Sequence, residues 1–358
     1  MLLPVFLLLF PGANAWDAPS SAESCGRCHR AIYENWKTSG HAQAMESPLF
    51  QNVLQRAEAD FPADGRQVCL GCHAPIASQA NGLTDEGVTC DYCHSIQQVT
   101  FDGPNPKAVV IFSNAKTGPL DDAVSAPHKN VYSAVYATAA ICAPCHEHRN
   151  AAGFPVLTTY SEWKDGPYGK AGRTCQSCHM ARTAGNVADP RVSHTATAMI
   201  NLHEMPGTHS VDHLAKAIQA RISTVRQGRQ LKVTVELANE GAGHYFPTGS
   251  PLRQLVLELQ VDSAGGQHFR EQRLYARQVA DQHGTVPKRE HFAFLKAVSL
   301  VSDTRLAPGE RRAESFLFPI PEGDPAKLEA TLWYYYSPLA KTESQTRVAF
   351  LTLRRSVP

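Results

Sequence analysis

The apolar positions of this chain change rhythm twice. Residues 1–15, MLLPVFLLLFPGANA, form an apolar run broken by Pro11-Gly12 and closed by the small-residue site Ala13-Asn14-Ala15. That layout is an export signal cleaved before Trp16; it is too short for a bilayer span, although no Lys or Arg precedes it. From there to about residue 215 apolar periodicity is poor. The clearest helical stretch is 46–60, ESPLFQNVLQRAEAD, with Leu49, Val53 and Ala57 on one stripe. Residues 101–127, with Gly103, Pro104, Pro106, Gly118, Pro119 and Pro127, read as a surface loop.

After about residue 215 strict alternation takes over. LKVTVEL at 231–237 puts Leu231, Val233, Val235 and Leu237 on one face, and LVLELQV at 255–261 does the same with Leu255, Leu257, Leu259 and Val261. Residues 314–320, 328–336 and 346–354 are further strand candidates, separated by turns such as Ala307-Pro308-Gly309-Glu310. Strands without intervening helices predict a β-sandwich. The expected fold is therefore α+β: signal 1–15, a loop-rich, mostly α domain 16–215, and a β-sandwich 216–358.

What organises the middle region is cysteine. All ten cysteines fall into five copies of CxxCH, with none left over: Cys25, Cys28 and His29; Cys69, Cys72 and His73; Cys90, Cys93 and His94; Cys142, Cys145 and His146; Cys175, Cys178 and His179. Two thiols at this spacing can add to the two vinyl groups of one haem, and the next imidazole then falls over the iron as an axial ligand. Disulfides need no histidine after every second cysteine, and five pairs do not divide into four-sulfur zinc sites. Covalent haem c, five per chain, is the reading. Five haems within residues 25–179 leave no room for separate protein cores, so the cofactors must serve as the core.

Composition changes this picture little. With 43% hydrophobic and 19% charged residues the chain is globular, and 34 basic against 33 acidic residues leave no nucleic-acid footprint. No later stretch is apolar for long enough to form a transmembrane segment. Phosphate-cradling glycine loops, nucleophile elbows and zincin helices are missing from the sequence.

CGRCHRAIYENWKTSGHAQAM at 25–45 resembles the opening of multihaem c-type cytochromes related to the tetrahaem cytochrome of ammonia oxidisers. TYSEWK ahead of CQSCHM is similar to the last haem segment of that family, and HEMPGTH at 203–209 to its later His-rich motif. GAGHYFPTG at 242–249, followed by Arg253 and a strand, resembles the start of an Ig-like domain appended to some members. The resemblance implies that His41 and a histidine of HEMPGTH are distal haem ligands. It leaves the role open, since relatives include electron carriers, filament-forming cytochromes and catalytic nitrogen-compound enzymes. The CxxCK motif of pentahaem nitrite reductases is missing.

Eleven histidines remain beyond the five proximal ones, seven of them before residue 215. Distal ligation is the economical explanation. His41 and His203 lead, His128 follows, and His209 and His244 are the other candidates; His244 would make the β-domain a lid on a haem. His194 stays open. His148 cannot reach the far face of its own haem and is read as an exposed group or a propionate donor. Met45, Met180, Met199 and Met205 read as gap-fillers.

These features predict an exported, periplasmic or extracellular electron-transfer protein working between a quinol-linked donor and a terminal reductase or extracellular acceptor. Two other readings stand beside it. One haem with an open sixth position, lined by groups such as Arg149, Lys129 or Tyr132, would make an oxidoreductase acting on a small nitrogen or sulfur oxyanion. A homo-oligomer or haem-stacked filament docked through the β-domain is the third.

Overall fold

The computed structural model describes residues 18–78, 82–125, 127–194, 199–338 and 346–358. The export signal lies outside the described residues. The expected α+β class holds: short helices and two-stranded ladders in the motif region, then two antiparallel sheets.

Helix α1, Pro48–Asp60, starts where the Ser47 hydroxyl accepts from Phe50 N and Pro48 occupies the first turn, whose amides need no helical partner. Its buried stripe is Leu54 and Ala57 with Phe50 alongside, not Leu49 and Val53. The face is turned because the helix packs on α2, Gly65–His73, through Met45, Leu70 and Ala74. Residues 101–127 are not a simple loop: Lys107–Val110 pairs with Ile96–Thr100, and Ala115–Gly118 runs parallel to Lys129–Tyr132.

Every CxxCH motif sits on a helical turn: Ala22–Gly26, α2, Cys90–Cys93, Ala143–His146 and Gln176–His179 carry them. A helical turn brings positions i, i+3 and i+4 to one face, so both thiols and the imidazole of each motif point the same way. Apolar clusters in this region are small, for example Ala22 with Trp36 and Ala42.

Beyond helix α3, Val211–Ala217, two antiparallel sheets follow. One sheet has the order β1 (Ile218–Gln227), β2 (Gln230–Asn239), β6 (Arg311–Phe318). The other runs β5 (Ser299–Asp303), β4 (His268–Ala280), β3 (Gln254–Ser263), β7 (Ala326–Tyr335), β8 (Arg347–Val357). Leu231, Val233, Val235 and Leu237 of β2 face Leu255, Leu257, Leu259 and Val261 of β3 across one core, as the alternation predicts. One short helix, α4 (Glu290–Leu295), interrupts the strands.

The two regions are locked together by polar anchors whose partners are backbone groups and buried charges. Arg277 donates to Val156 O and Pro155 O (3.3 and 2.6 Å), and the Asn150 amide to Ala297 O (2.7 Å). Arg305 bonds Glu162 at 2.8 Å, both side chains only 6% exposed, and also holds Asp303 at 2.7 Å. His291 of α4 meets Asp60 at the end of α1 at 2.7 Å.

Replacing Arg305 by Ala leaves Glu162 buried without its cation, a change that costs about 3–5 kcal/mol in buried pairs. Urea denaturation followed by circular dichroism checks this; a loss well below 1 kcal/mol would show that the pair does not hold the two regions together.

Candidate functional site

Four motif histidines each face one histidine brought from elsewhere in the chain. Ring centres lie 6.2 Å apart for His29 and His128, 6.2 Å for His146 and His41, 6.4 Å for His94 and His203, and 6.4 Å for His179 and His244. Two metal–imidazole bonds of about 2 Å plus two ring radii of roughly 1.1 Å give about 6.2 Å, the span of two imidazoles on opposite sides of one metal. Three pairs are nearly parallel (16–28°) and one is perpendicular (85°). Both angles suit axial ligation, because each ring turns freely about its metal–nitrogen axis.

The hydrogen bonds fix which nitrogen is free. His29 Nδ1 donates to Val187 O (2.8 Å), His94 to Thr117 O (2.7 Å), His179 to Pro206 O (2.7 Å), His203 to Asn201 O (2.8 Å) and His244 to Tyr245 O (2.9 Å). His128 donates more weakly to Lys129 O (3.3 Å), and His41 to Met205 Sδ (3.1 Å). With the proton on Nδ1, the Nε2 lone pair is available to a metal, the usual second-layer arrangement for a ligating histidine. Partial burial, aided by the neighbouring His94, holds His203 down to about 4, so it is neutral at pH 7.

His73 is different. Phe50 lies flat against it (3.7 Å, 8°), and its Nδ1 is 3.4 Å from Ala44 O. Among the described residues no second imidazole stands at the 6.2–6.4 Å spacing. His209, expected as a distal ligand, instead stacks on Tyr336 at 5.0 Å, because Thr208 is tied to Arg253 (3.1 Å) and to the Tyr336 hydroxyl (3.1 Å). His213 lies 4.8 Å from His179, too close to share a metal across opposite faces. His148 is not simply exposed: it is half-buried and stacks on Phe294 at 5.3 Å. The side chain of His194 lies outside the described residues.

The cysteines belong to this arrangement. None of the ten is paired in a disulfide. Thiols of different motifs lie within electrostatic reach of each other: Cys25 of Cys90, Cys72 of Cys145, and Cys142 of Cys175. Cys93 lies within electrostatic reach of both Cys142 and Cys145. The residues present fit haem c: paired thiols on one helical face, an imidazole beside them, and in four cases a second imidazole opposite.

His244 comes from the loop after β2, and its placement depends on Glu162 in the SEWK segment. Glu162 accepts from Tyr245 N (3.2 Å), Thr248 Oγ1 (2.7 Å), Thr158 Oγ1 (2.6 Å) and Arg305. Gly243 is needed there: a Cβ on it would come 2.8 Å from the Tyr168 ring and 3.3 Å from Trp163. This linkage between the TYSEWK and GAGHYFPTG segments could be found only once the fold had brought them together.

Residues 24–95 match the family model described as cytochrome c554 and c-prime. Cytochrome c-554 of Nitrosomonas europaea is 38% identical over 104 residues, covering 25% of this chain and 44% of that protein, so the chain spans less than half of that relative. The penta-heme cytochrome c552 from Thermochromatium tepidum shares the fold, with a TM-score of 0.75 over 95% of this chain and 99% of that one at 23% identity. Residues 24–95, which hold the first three motifs, are thus similar to cytochromes c554. Over the rest of the chain the likeness to the penta-heme cytochrome is one of fold.

Burial disfavours the Glu162 carboxylate, but Arg305 and the hydroxyls of Thr158 and Thr248 outweigh it and hold the group below the ordinary glutamate range. A depressed folded value means stability that is present above the unfolded pKa of about 4.3 and lost as pH falls through the folded one. Melting temperatures of the parent and Glu162→Gln proteins should therefore differ at pH 7 and converge in acid, below pH 4. A gap that is constant with pH would contradict this.

Proposed function

We propose that the chain is a pentahaem c-type cytochrome that relays single electrons between redox partners. The observation that carries this is the set of four imidazole pairs at one-metal spacing, each joining a CxxCH histidine to a histidine from another segment. Haem c would be attached at Cys25 and Cys28, Cys69 and Cys72, Cys90 and Cys93, Cys142 and Cys145, and Cys175 and Cys178. Its axial pairs would be His29 with His128, His94 with His203, His146 with His41, and His179 with His244. The group supplies a one-electron change at iron with both ligands retained, so little has to reorganise.

The neighbour relations of the motifs support an order. Motif 1 lies within electrostatic reach of motif 3, motif 3 of motif 4, and motif 4 of both motif 2 and motif 5. The protein orients its imidazoles through Nδ1, which bonds a backbone carbonyl in His29, His94, His128, His179, His203 and His244 and Met205 Sδ in His41. The division into a haem domain 16–215 and an Ig-like sandwich 216–358 is part of the reading, since His244 crosses from the second to the first. So is export to the periplasm, with a quinol-linked donor and a terminal reductase or extracellular acceptor as partners. No helix among the described residues is long and apolar enough to cross a membrane.

A second reading is favoured by one site. Among the described residues no second imidazole faces His73 at the one-metal spacing, and Phe50, its ring centre 3.7 Å away, packs on the face of His73 itself; a haem there with an open sixth position would bind a small nitrogen or sulfur oxyanion. Of the lining groups expected from sequence, Lys129 sits beside His128 at motif 1, and Arg149 is exposed and donates to Gly153 O.

Mass spectrometry of the matured protein should find five covalent haems; fewer than four would sink the proposal. Electron paramagnetic resonance of the oxidised protein should show four low-spin ferric haems and one high-spin one. His128→Ala should convert one further haem to high spin while leaving the haem count at five. Five low-spin haems would remove the second reading and leave the first.

A further inference from the structure

Asp91 is the most deeply buried carboxylate near the motifs, and it lies inside one of them. It is the residue after Cys90, and its side chain has no exposed surface. Lys116 Nζ meets Asp91 Oδ1 at 2.5 Å and is itself only 14% exposed. The Ser95 hydroxyl donates to Oδ1 (3.2 Å) and Ser20 N to Oδ2 (2.6 Å). A buried ion pair is weak support for stability, because the desolvation of two charges offsets most of their attraction. Its position suggests another role.

The two charges are not equivalent with respect to the haem sites. Asp91 stands in motif 3, one turn before His94. Lys116 belongs to the strand Ala115–Gly118, which runs parallel to Lys129–Tyr132, the strand that begins immediately after His128. Lys116 pairs there with Asn130 in register. The negative end of the pair is thus built into motif 3, and the positive end comes from a strand that touches both sites, through Thr117 to His94 and through its ladder to the segment after His128. Cys25 of motif 1 and Cys90 of motif 3 lie within electrostatic reach of each other, so the pair lies beside two neighbouring sites on the proposed route.

We infer that Asp91 and Lys116 form a fixed dipole beside the first and third haem sites that lowers the reduction potential at motif 3 relative to motif 1. A nearby negative charge favours the ferric state and a positive charge the ferrous state, and a dry site amplifies both. Transfer between the two sites is a one-electron exchange, one iron oxidised as the other is reduced, with no bond made or broken. The dipole biases that exchange from motif 3 toward motif 1. This inference rests on the haem assignment proposed above.

The test is a potentiometric titration of the whole matured protein at pH 7, followed by electron paramagnetic resonance. The signals of motifs 1 and 3 are assigned through His128→Ala and His203→Ala. Asp91→Asn should raise both potentials, that of motif 3 more. Lys116→Met should lower both, that of motif 1 more. Because each single variant strands a buried charge and can fail to fold, the double variant Asp91→Asn with Lys116→Met is the deciding protein. It leaves no charge unpaired, and in it the potentials of motifs 1 and 3 should move toward each other while the other three stay fixed. Five haems with an unchanged difference between motifs 1 and 3 would overturn the dipole alone. A parent protein without haem would overturn the assignment beneath it.

Discussion

The span between two imidazoles on one metal is the constraint from which the rest of this molecule follows. Four times, the chain brings a histidine from a different segment to within 6.2–6.4 Å of a motif histidine. Each partner arrives by a different route: a 3-10 turn for His41, the start of a strand for His128, an irregular crossing for His203, and the loop after β2 for His244. Apolar packing in the motif region is too sparse to specify those routes, as the small clusters around Leu54 and Trp36 attest. What fixes them is the hydrogen bond from each Nδ1, to a backbone carbonyl for His128, His203 and His244 and to Met205 Sδ for His41, which sets ring orientation and tautomer together.

The C-terminal sheets meet the motif region through specific contacts. Their own core is complete, built from the alternating faces of β2 and β3, and they would fold by the ordinary rules for two packed sheets. Their attachment to the motif region is polar and specific: Arg277 and Asn150 satisfy backbone carbonyls, and Arg305 neutralises Glu162 at the base of the loop that carries His244. Polar anchors of this kind are worth little in bulk affinity but much in register, because a misplaced partner leaves buried groups unsatisfied. A ligand delivered across such a boundary therefore holds its position as firmly as one within the motif region.

Much of this was legible in the sequence, and the failures have physical causes. Strict alternation at 231–237 and 255–261 identified the buried faces of β2 and β3 because burial on one side of a strand imposes period two. β1, β4 and β5 were missed because apolar residues also occupy exposed positions, Val225 in β1, Leu274 in β4 and Leu300 with Val301 in β5, which blurs the alternation. On α1 the stripe was misread by one residue, since Leu49, Val53 and Ala57 also share a helical face and only packing on α2 selects Leu54. The CxxCH motifs were certain from spacing alone, because their chemistry is local. Pairing was not: whether His209 or His244 reaches a motif histidine depends on how Arg253 ties down Thr208 and how Glu162 gathers the loop at 243–248.

The same distinction between local and assembled chemistry applies to charge. Asp91 looks unremarkable in the string CDYCH, where a carboxylate between two cysteines reads as a solvated spacer. Only the fold shows that Ser20, Ser95 and Lys116 close over it and that Lys116 reaches it from the strand laddered to the segment after His128. In a region where the cofactors would replace the apolar core, a buried charge cannot be far from a metal, so its energetic cost and its influence on the electron arise from the same low-dielectric surroundings. Placement of such pairs offers the protein a way to grade otherwise identical four-nitrogen macrocycles with identical imidazole ligands, using nothing but the positions of two side chains.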